Sequence, residues 1–304
     1  GKSGRRAGQS FAKGAEVEIY RSETGRRTVQ QWCGAELDRA LPSGDRRQVR
    51  TSLGPTHLTT TGTGPQVVLL PGTNFGAATS LPLIARLAAS FRVTTVDPPG
   101  QPGLSSGTRV KDDPVTRHRR WLGEVLDAVG PTPVLLIGES RGAAVALCAE
   151  PGPRVGGLAL VVPAGLVAAR LDAGILAASI PWLWRPTTAR ADRLLSTMDG
   201  GARVVDRRRL VEWLAMVPRY ARSALAPAPL PHQVLTAWQD TPCRVIAGEH
   251  DRFYRPRRLT APARRLLHAE TTIVGGAGHL LTHTVPEAVV EVVAELHRSV
   301  DGTP

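Results

Sequence analysis

A serine held between two glycines is the residue of this sequence whose setting best suits covalent chemistry. Ser140 is the centre of residues 138–142 (GESRG), which follow the apolar run 134–137 and lead into a predicted helix at 141–147. A serine at a sharp strand-to-helix turn adopts a left-handed backbone conformation that exposes its hydroxyl, and flanking glycines let the strand and helix approach closely. Such an oxygen can attack a carbonyl carbon, so we interpret Ser140 as a candidate nucleophile.

A serine hydroxyl also needs a base that removes its proton and a carboxylate that orients the base. Asp251 and His279 have the required side chains, and they follow the apolar runs 244–247 and 271–274. Because catalytic residues of parallel sheets lie where the strands end, we expect both to approach Ser140. The sequence therefore predicts a triad of Ser140, His279 and Asp251.

Two other residues compete for these roles. His283 lies four residues after His279 and would share a helical face with it, so the spacing leaves His283 open as the base. Asp97 ends another predicted strand and is the second candidate carboxylate, with a structural role in a turn as the other interpretation. His250, beside Asp251, is interpreted as a solvated or packing residue.

The chain around these residues alternates predicted strands with predicted helices. A helix at 28–41 and a hairpin of 47–53 and 57–61 come first, and helices at 81–90 and 115–129 follow. Further strands are predicted at 66–70, 91–96, 134–137, 157–162, 244–247 and 271–274. Short apolar strands separated by helices predict an α/β fold, with a mostly parallel sheet of roughly eight strands covered on both faces.

One interval between consecutive strands, 163–238, is too long for a simple crossover. We predict that it is an inserted helical cap with helices at 171–183 and 206–217, which divides the core into 15–162 and 239–304. Trp182 and Trp184 lie in this cap, where they either pack its interior or line a substrate slot. Residues 1–14 lack the apolar segment of a signal peptide. They are basic and contain glycine and serine, and we expect them to form a disordered lead-in.

The formal net charge of +12 does not predict a nucleic-acid partner. Lysine occurs only at positions 2, 13 and 111, and the arginines are spread along the chain without the interleaved aromatic residues that stack on bases. An acidic protein or an anionic substrate is the partner that this charge favours.

Composition argues against several other classes of protein. The apolar stretch 155–169 is too short to span a bilayer, so we expect no membrane partner. Cys33, Cys148 and Cys243 are too few and too scattered for a disulfide framework or a zinc site, which favours a cytoplasmic, reducing compartment. We find neither a glycine-rich phosphate loop nor a metal-ligand cluster in the sequence, and we therefore expect no cofactor and no metal.

Five segments in order resemble the motifs of α/β-hydrolase-fold serine hydrolases, from about residue 47 to the C-terminus. They are LLPGT at 69–73, VDPPGQPGLS at 96–105, GESRG at 138–142, GEHD at 248–251 and GHLL at 278–281. The chain order of serine, acid and histidine is also that of the family. The N-terminal helix and hairpin resemble those of bacterial carboxylesterase-like proteins.

The resemblance implies a role for each site residue. Ser140 is the nucleophile, His279 is the general base and then acid, and Asp251 is the orienting carboxylate. The backbone N–H groups of Thr73 and Arg141 form the oxyanion hole. The side chain of Arg141 is unusual after the nucleophile, and it either binds an anionic group of the substrate or pairs with a nearby acid.

These expectations describe a serine hydrolase that cleaves a mostly apolar carboxylic ester or lactone through an acyl-Ser140 intermediate. The alternative is a thioesterase or acyltransferase that takes an acyl group from an acidic acyl carrier protein. This alternative is motivated by Arg141 and by basic residues of the cap, which include Arg203, Arg207, Arg208 and Arg209. A non-catalytic binding protein of the same fold is a third hypothesis, which the presence of all three triad residues disfavours.

Overall fold

The computed structural model describes residues 16–302, so the predicted lead-in at 1–14 lies outside the described residues. The strands are β1 Glu16–Glu18, β2 Asp45–Thr51, β3 Gly54–Thr61, β4 Gln66–Leu70, β5 Arg92–Val96, β6 Thr108–Val110, β7 Val134–Glu139, β8 Val155–Val161, β9 Cys243–Gly248 and β10 Glu270–Val274. The helices are α1 Glu23–Ala40, α2 Leu81–Leu87, α3 Pro114–Val129, α4 Arg141–Leu147, α5 Ala173–Trp184, α6 Thr188–Met198, α7 Arg207–Tyr220, α8 His232–Thr236, α9 Pro256–Leu267, α10 Leu281–Thr284 and α11 Pro286–Asp301.

Eight of the strands form one sheet in the order β10-β9-β8-β7-β4-β5-β3-β2. The six strands from β10 to β5 pair in parallel, while β3 runs antiparallel to both of its neighbours. The predicted fold class is therefore confirmed, including the hairpin before the parallel strands. The short pair of β1 and β6 lies outside this sheet and was not predicted, because three residues carry too little pattern to indicate a strand.

The sheet separates two apolar cores. Val67 and Leu69 of β4 pack into one core, and the alternating residues Val68 and Leu70 pack into the other. Helices α2 and α11 contribute to the first core, and α3, α4 and α9 contribute to the second. Both faces are covered, which explains why the parallel strands are continuous apolar runs rather than alternating ones.

Helix α1 begins five residues before the predicted start at 28. Ser22 caps it, since its Oγ accepts a hydrogen bond of 3.0 Å from the N–H of Gly25. The first turn is polar and contains glycine, so apolar spacing could not indicate it. A capping serine followed by an acidic residue was the available signal.

Four helices, α5 to α8, lie between β8 and β9, in the interval predicted as an insertion. The predicted helices at 171–183 and 206–217 correspond to α5 and α7, whereas α6 and the five-residue α8 were missed. The buried residues of α6 are only Ala191, Leu194 and Leu195, a pattern too short to stand out in the sequence. Within residues 16–302, no helix combines the length and apolar character needed to cross a membrane.

Candidate active site

The turn that carries Ser140 depends on two close backbone approaches. Ser140 has φ 49° and ψ −111°, and its N–H donates a 2.8 Å hydrogen bond to the carbonyl of Val161. A Cβ on Gly142 would lie 1.8 Å from the carbonyl oxygen of Leu70, and one on Gly138 would lie 2.5 Å from a backbone atom of the following helix. Only glycine fits at either position, so β7 and α4 can meet at the sharp angle that exposes the serine.

A continuous hydrogen-bond chain links the three predicted triad residues. His279 Nε2 lies 3.0 Å from Ser140 Oγ, and His279 Nδ1 lies 2.8 Å from Asp251 Oδ2. The other oxygen of Asp251 accepts hydrogen bonds of 2.8 and 3.0 Å from the N–H groups of Phe253 and Tyr254. The buried carboxylate is thereby fixed, and it can hold the imidazole with its second nitrogen directed at the serine.

The pKa of His279 is raised above its ordinary value of 6.5. Burial lowers this pKa, but the charge of Asp251, the hydrogen bond to its carboxylate and the charge of Glu139 together raise it by more. A more basic imidazole accepts the serine proton more readily. The same shift means that a larger share of His279 is protonated, and unable to act as a base, in mildly acidic solution.

The turn after β4 brings a second element to the nucleophile. A Cβ on Gly72 would lie 3.6 Å from the Cβ of Ser140, and Thr73 is the next residue. Within residues 16–302, the N–H groups of Thr73 and Arg141 donate to no protein acceptor, whereas that of Asn74 donates to Gln101 Oε1 at 2.9 Å. Two unpaired N–H groups from the elements around the serine are available to a ligand oxygen.

Comparison with known proteins identifies the family. The model of a family described as the alpha/beta hydrolase family matches residues 67–292. The chain belongs to the alpha/beta hydrolase family. The resemblance predicted from the five sequence motifs is thus confirmed. No curated protein sequence matches this hydrolase.

Solved structures of similar fold include two esterases of Bacillus subtilis. Carboxylesterase CesB is 21% identical with a TM-score of 0.74, and the match covers 90% of the hydrolase and 98% of CesB. Naproxen esterase (carboxylesterase NP) is 21% identical with a TM-score of 0.75, over 91% of the hydrolase and 99% of that chain. At 21% sequence identity, the similarity to these two structures shows a shared fold and nothing about a shared substrate.

The side chain of Arg141 in this hydrolase lies among other cations. Its burial, together with the positive charges of Arg109 and Arg117, lowers its pKa to about 10. In the part of the chain that the structure describes, its guanidinium has neither an ion pair nor a hydrogen bond, so the expected alternative of a nearby acid is wrong. With His118 it lines a small cavity of about 20 Å³ beside the loop after β5. The guanidinium is therefore unpaired, and the lining of this cavity includes neither Ser140 nor His279.

A second buried polar network, which was not predicted from the sequence, begins at Glu139, directly before Ser140. Thr282 Oγ1 donates a short hydrogen bond to Glu139 Oε1 and lies 2.9 Å from His283 Nδ1. His283 Nε2 donates to the carbonyl of Thr79 at 2.7 Å. Glu139 is the one charged residue of β7, and a buried carboxylate requires polar partners. This lone charge was the signal that could have indicated the network.

The competing triad candidates have other partners. Asp97 accepts hydrogen bonds of 2.8 and 2.9 Å from the N–H groups of Ala77 and Leu104, and it therefore ties two loops together. Both ring nitrogens of His283 are occupied in the network with Thr282 and Thr79. His250 is exposed, as expected for a solvated residue. The geometry thus offers neither Asp97 nor His283 as a substitute within the hydrogen-bond chain of Ser140.

The two tryptophans of the inserted segment have different surroundings. Trp182 is buried, and its indole N–H donates to the carbonyl of Leu214 at 2.6 Å, which agrees with the packing interpretation. Trp184 is 82% exposed, so core packing is wrong for this residue. These two positions, separated by one residue on the same helix, lie in opposite environments, and the indole of Trp184 is free to contact a molecule from solution.

The described residues contain no obvious place for a metal ion. No group of three or more His, Cys, Asp or Glu side chains within residues 16–302 is arranged to hold one. Cys33, Cys148 and Cys243 are buried free thiols, and burial raises the pKa of each. A buried thiol with a raised pKa is a poor nucleophile, so these side chains act as small core residues.

Proposed function

We propose that this alpha/beta hydrolase is a serine carboxylesterase that cleaves a carboxylic ester or lactone through an acyl-Ser140 intermediate. The observation that carries the proposal is the hydrogen-bond chain from Ser140 Oγ through His279 to Asp251, with distances of 3.0 and 2.8 Å. The two solved esterases of similar fold support the same class of reaction. Acyl transfer through serine requires a nucleophile, a base and an orienting acid, and each has a residue here.

In the first half of the reaction, His279 Nε2 takes the proton of Ser140 as the serine oxygen attacks the ester carbonyl. The carbonyl oxygen becomes negatively charged and accepts hydrogen bonds from the N–H groups of Thr73 and Arg141. One such donor contributes about 3–4 kcal/mol to lowering the barrier. Collapse of the tetrahedral intermediate breaks the ester C–O bond, and His279 delivers its proton to the departing alcohol.

In the second half, water replaces the alcohol. His279 takes a proton from the water as its oxygen attacks the acyl carbon, and the same N–H groups hold the second oxyanion. Collapse releases the carboxylic acid and returns the proton to Ser140. Asp251 stays ionised throughout and stabilises the imidazolium that forms in each half.

We propose that residues 163–238 act as a cap over this site, with 15–162 and 239–304 as the core. Two backbone hydrogen bonds support a fixed junction between cap and core: Leu280 N–H to Met198 O at 3.1 Å, and Val205 N–H to His283 O at 2.8 Å. The cap thereby contacts the loop that carries His279. Arg141, the residue after Ser140, has an unpaired guanidinium. We expect it to favour esters that also bear an anionic group, because a guanidinium binds carboxylate and phosphate well.

The acyl carrier protein alternative has lost part of its basis. Arg207 forms ion pairs with Asp192 and Asp199, and Arg209 pairs with Glu36, so two of the four cap arginines that motivated it are engaged within the protein. Of the arginines that motivated it, Arg203, Arg208 and Arg141 remain for an acidic partner. No specific observation favours a thioester donor, and hydrolysis of a small ester is the function that the geometry supports best.

Acyl-enzyme trapping tests the proposal. Intact-protein mass spectrometry after incubation with a panel of esters and thioesters is expected to detect one added acyl group, and a fluorophosphonate probe is expected to label Ser140. The Ser140→Ala and His279→Ala variants should lose both signals, and the exposed His250→Ala variant serves as the matched control that keeps them. Labelling that persists in folded Ser140→Ala protein would contradict the proposed nucleophile, and transfer from thioesters alone would contradict the carboxylesterase assignment.

A further inference from the structure

Helix α5 exposes an apolar face to solvent. The fractional exposures of its members are Leu171 56%, Leu176 40%, Ile180 60%, Leu183 46% and Trp184 82%. The four members within the helix fall on an arc of about 100° at 3.6 residues per turn, while Ile175, Ala178 and Trp182 on the other side are buried. Single exposed apolar residues are common, but four on one helical face, with exposed Leu171 just before the helix, mark an interaction surface. These five residues are called the apolar face below.

The unpaired charges nearest to the apolar face along the chain are positive. Arg170 precedes α5, Arg185 ends it, and Arg190 and Arg193 follow on α6. Arg190 Nη1 donates to the carbonyls of Pro181 and Arg185, which fixes this guanidinium at the C-terminal end of α5. Within residues 16–302, none of these four arginines has a carboxylate partner.

The acidic residues of the chain segment that contains α5 and α6 are paired with arginines. Between positions 163 and 200 they are Asp172, Asp192 and Asp199. Asp172 forms a bidentate pair with Arg252, and Arg207 binds both Asp192 and Asp199. Within residues 163–200, the apolar face is therefore accompanied by four arginines without carboxylate partners, while all three acidic side chains are paired.

We propose that the apolar face and its arginines form a docking surface for an anionic lipid bilayer. A helix with an apolar face and arginines beside it lies in the plane of a membrane interface, its aromatic side chain sits at the headgroup level, and guanidinium groups bind lipid phosphates. A second copy of the chain fits poorly, because two such faces would bring like charges together. No membrane partner was expected from the sequence because no segment could span a bilayer, but adsorption requires only one apolar face.

The docking surface is connected to the site. Ala164, at the start of the inserted segment, donates its N–H to the carbonyl of Ser140 at 3.1 Å. Asp172, the N-cap of α5, is bound to Arg252, the residue after Asp251. A bilayer bound through α5 thus contacts the segment that adjoins the triad. The proposal does not depend on the reaction at Ser140, since lipid binding is measured without turnover.

Vesicle flotation with the full chain tests the proposal. We expect the protein to float with vesicles of equal parts phosphatidylglycerol and phosphatidylcholine, and more weakly with pure phosphatidylcholine. The Ile180→Ser/Trp184→Ser variant should bind about tenfold more weakly or worse, and Arg185→Gln about fivefold more weakly. Val300→Ser is the control, because Val300 is also exposed but packs near Gly156, at the opposite end of β8 from the inserted segment.

Fluorescence gives an independent measurement on folded protein. Wild-type emission should shift to shorter wavelength with anionic vesicles, and Trp184→Phe should float normally while losing most of that shift. Absence of flotation with anionic vesicles, or equal flotation of the Ile180→Ser/Trp184→Ser variant, overturns the proposal. Self-association in sedimentation that this variant abolishes, without vesicle binding, would instead assign the face to a second copy.

Discussion

At the scale of single residues, the basicity of His279 depends on two carboxylates in different positions. Asp251 binds the imidazole directly, whereas Glu139 acts on it through charge alone and is held in place by Thr282. Asp251 is therefore required for both orientation and charge. Glu139 is expected to set the pH range in which the base is free.

Replacing Glu139 with Gln tests this assignment. The change removes a negative charge that raises the pKa of His279, so the pKa should fall and the neutral base should persist to lower pH. The acid limb of kcat/KM against pH is expected to move to lower pH, while Glu287→Gln, at a surface ion pair with Arg86, should leave the limb in place. An unmoved acid limb in active Glu139→Gln protein would show that this carboxylate has only a packing role.

Exchanging Asp for Asn separates Asp251 from Asp97. Asn at 251 favours the wrong imidazole tautomer, and we expect kcat to fall by about 10⁴-fold with the fold intact. Asn at 97 should instead lower stability, because it weakens the bonds that hold Ala77 and Leu104, and it should retain most activity per folded molecule. The measurements are kcat and urea unfolding for both variants, and a small effect at 251 would contradict its role as the orienting acid.

At the scale of elements, the loop that carries His279 is held by backbone contact with the end of α6. Leu280 donates to the carbonyl of Met198, and a Cβ on Gly278 would lie 2.4 Å from that same oxygen. The end of α6 therefore forms a surface against which the loop that carries His279 is positioned.

Two neighbouring glycines provide a matched test of that contact. Gly200 and Gly201 both have positive φ, of 69° and 86°, so alanine carries a similar backbone strain of about 1–2 kcal/mol at each. A Cβ on Gly200 would lie 2.6 Å from the N of Gly278, whereas one on Gly201 meets nothing within 4 Å. We expect Gly200→Ala to reduce kcat at least tenfold more than Gly201→Ala. Equal kcat values for the two variants would argue against positioning by this junction.

At the scale of the whole molecule, stability comes from two cores that the sheet keeps apart. Leu122 of α3 and Leu296 of α11 are fully buried, one in each core. Leu-to-Ala changes in such positions cost about 2–5 kcal/mol, and separated sites add to within about 0.3–0.5 kcal/mol. Chemical denaturation of the two single variants and the double variant should give additive losses, with partly exposed Val300→Ala as a mild control. Coupling above about 1 kcal/mol would mean that the sheet transmits packing changes between its faces.

Much of the fold was predictable because it follows from local patterns. Apolar runs indicated the parallel strands, and the spacing within 115–129 indicated α3, which the structure extends to Pro114–Val129. Among the elements that were missed, β1, β6, α6, α8 and α10 are short or have little apolar content. Helices α9 and α11 were also missed, although their buried residues are spaced as on one face of a helix. The proximity of Ser140, His279 and Asp251 was also expected, because parallel strands present their carboxyl ends at one edge of the sheet. Their catalytic roles remain predictions.

By itself, the sequence determined the strand-to-helix turn at Ser140, since a glycine two residues on either side permits a backbone approach that any other residue blocks. Tertiary structure alone decided which side chains have partners. The apolar residues of α5 resemble those of a buried helix, and only the arrangement of the surrounding helices leaves Trp184 in solvent. The sequence likewise left open whether the Arg141 side chain would lie beside an acid or beside other cations, and the structure places it near Arg109 and Arg117. Periodicity is a property of neighbours along the chain, whereas burial and charge pairing depend on segments that folding brings together from far apart.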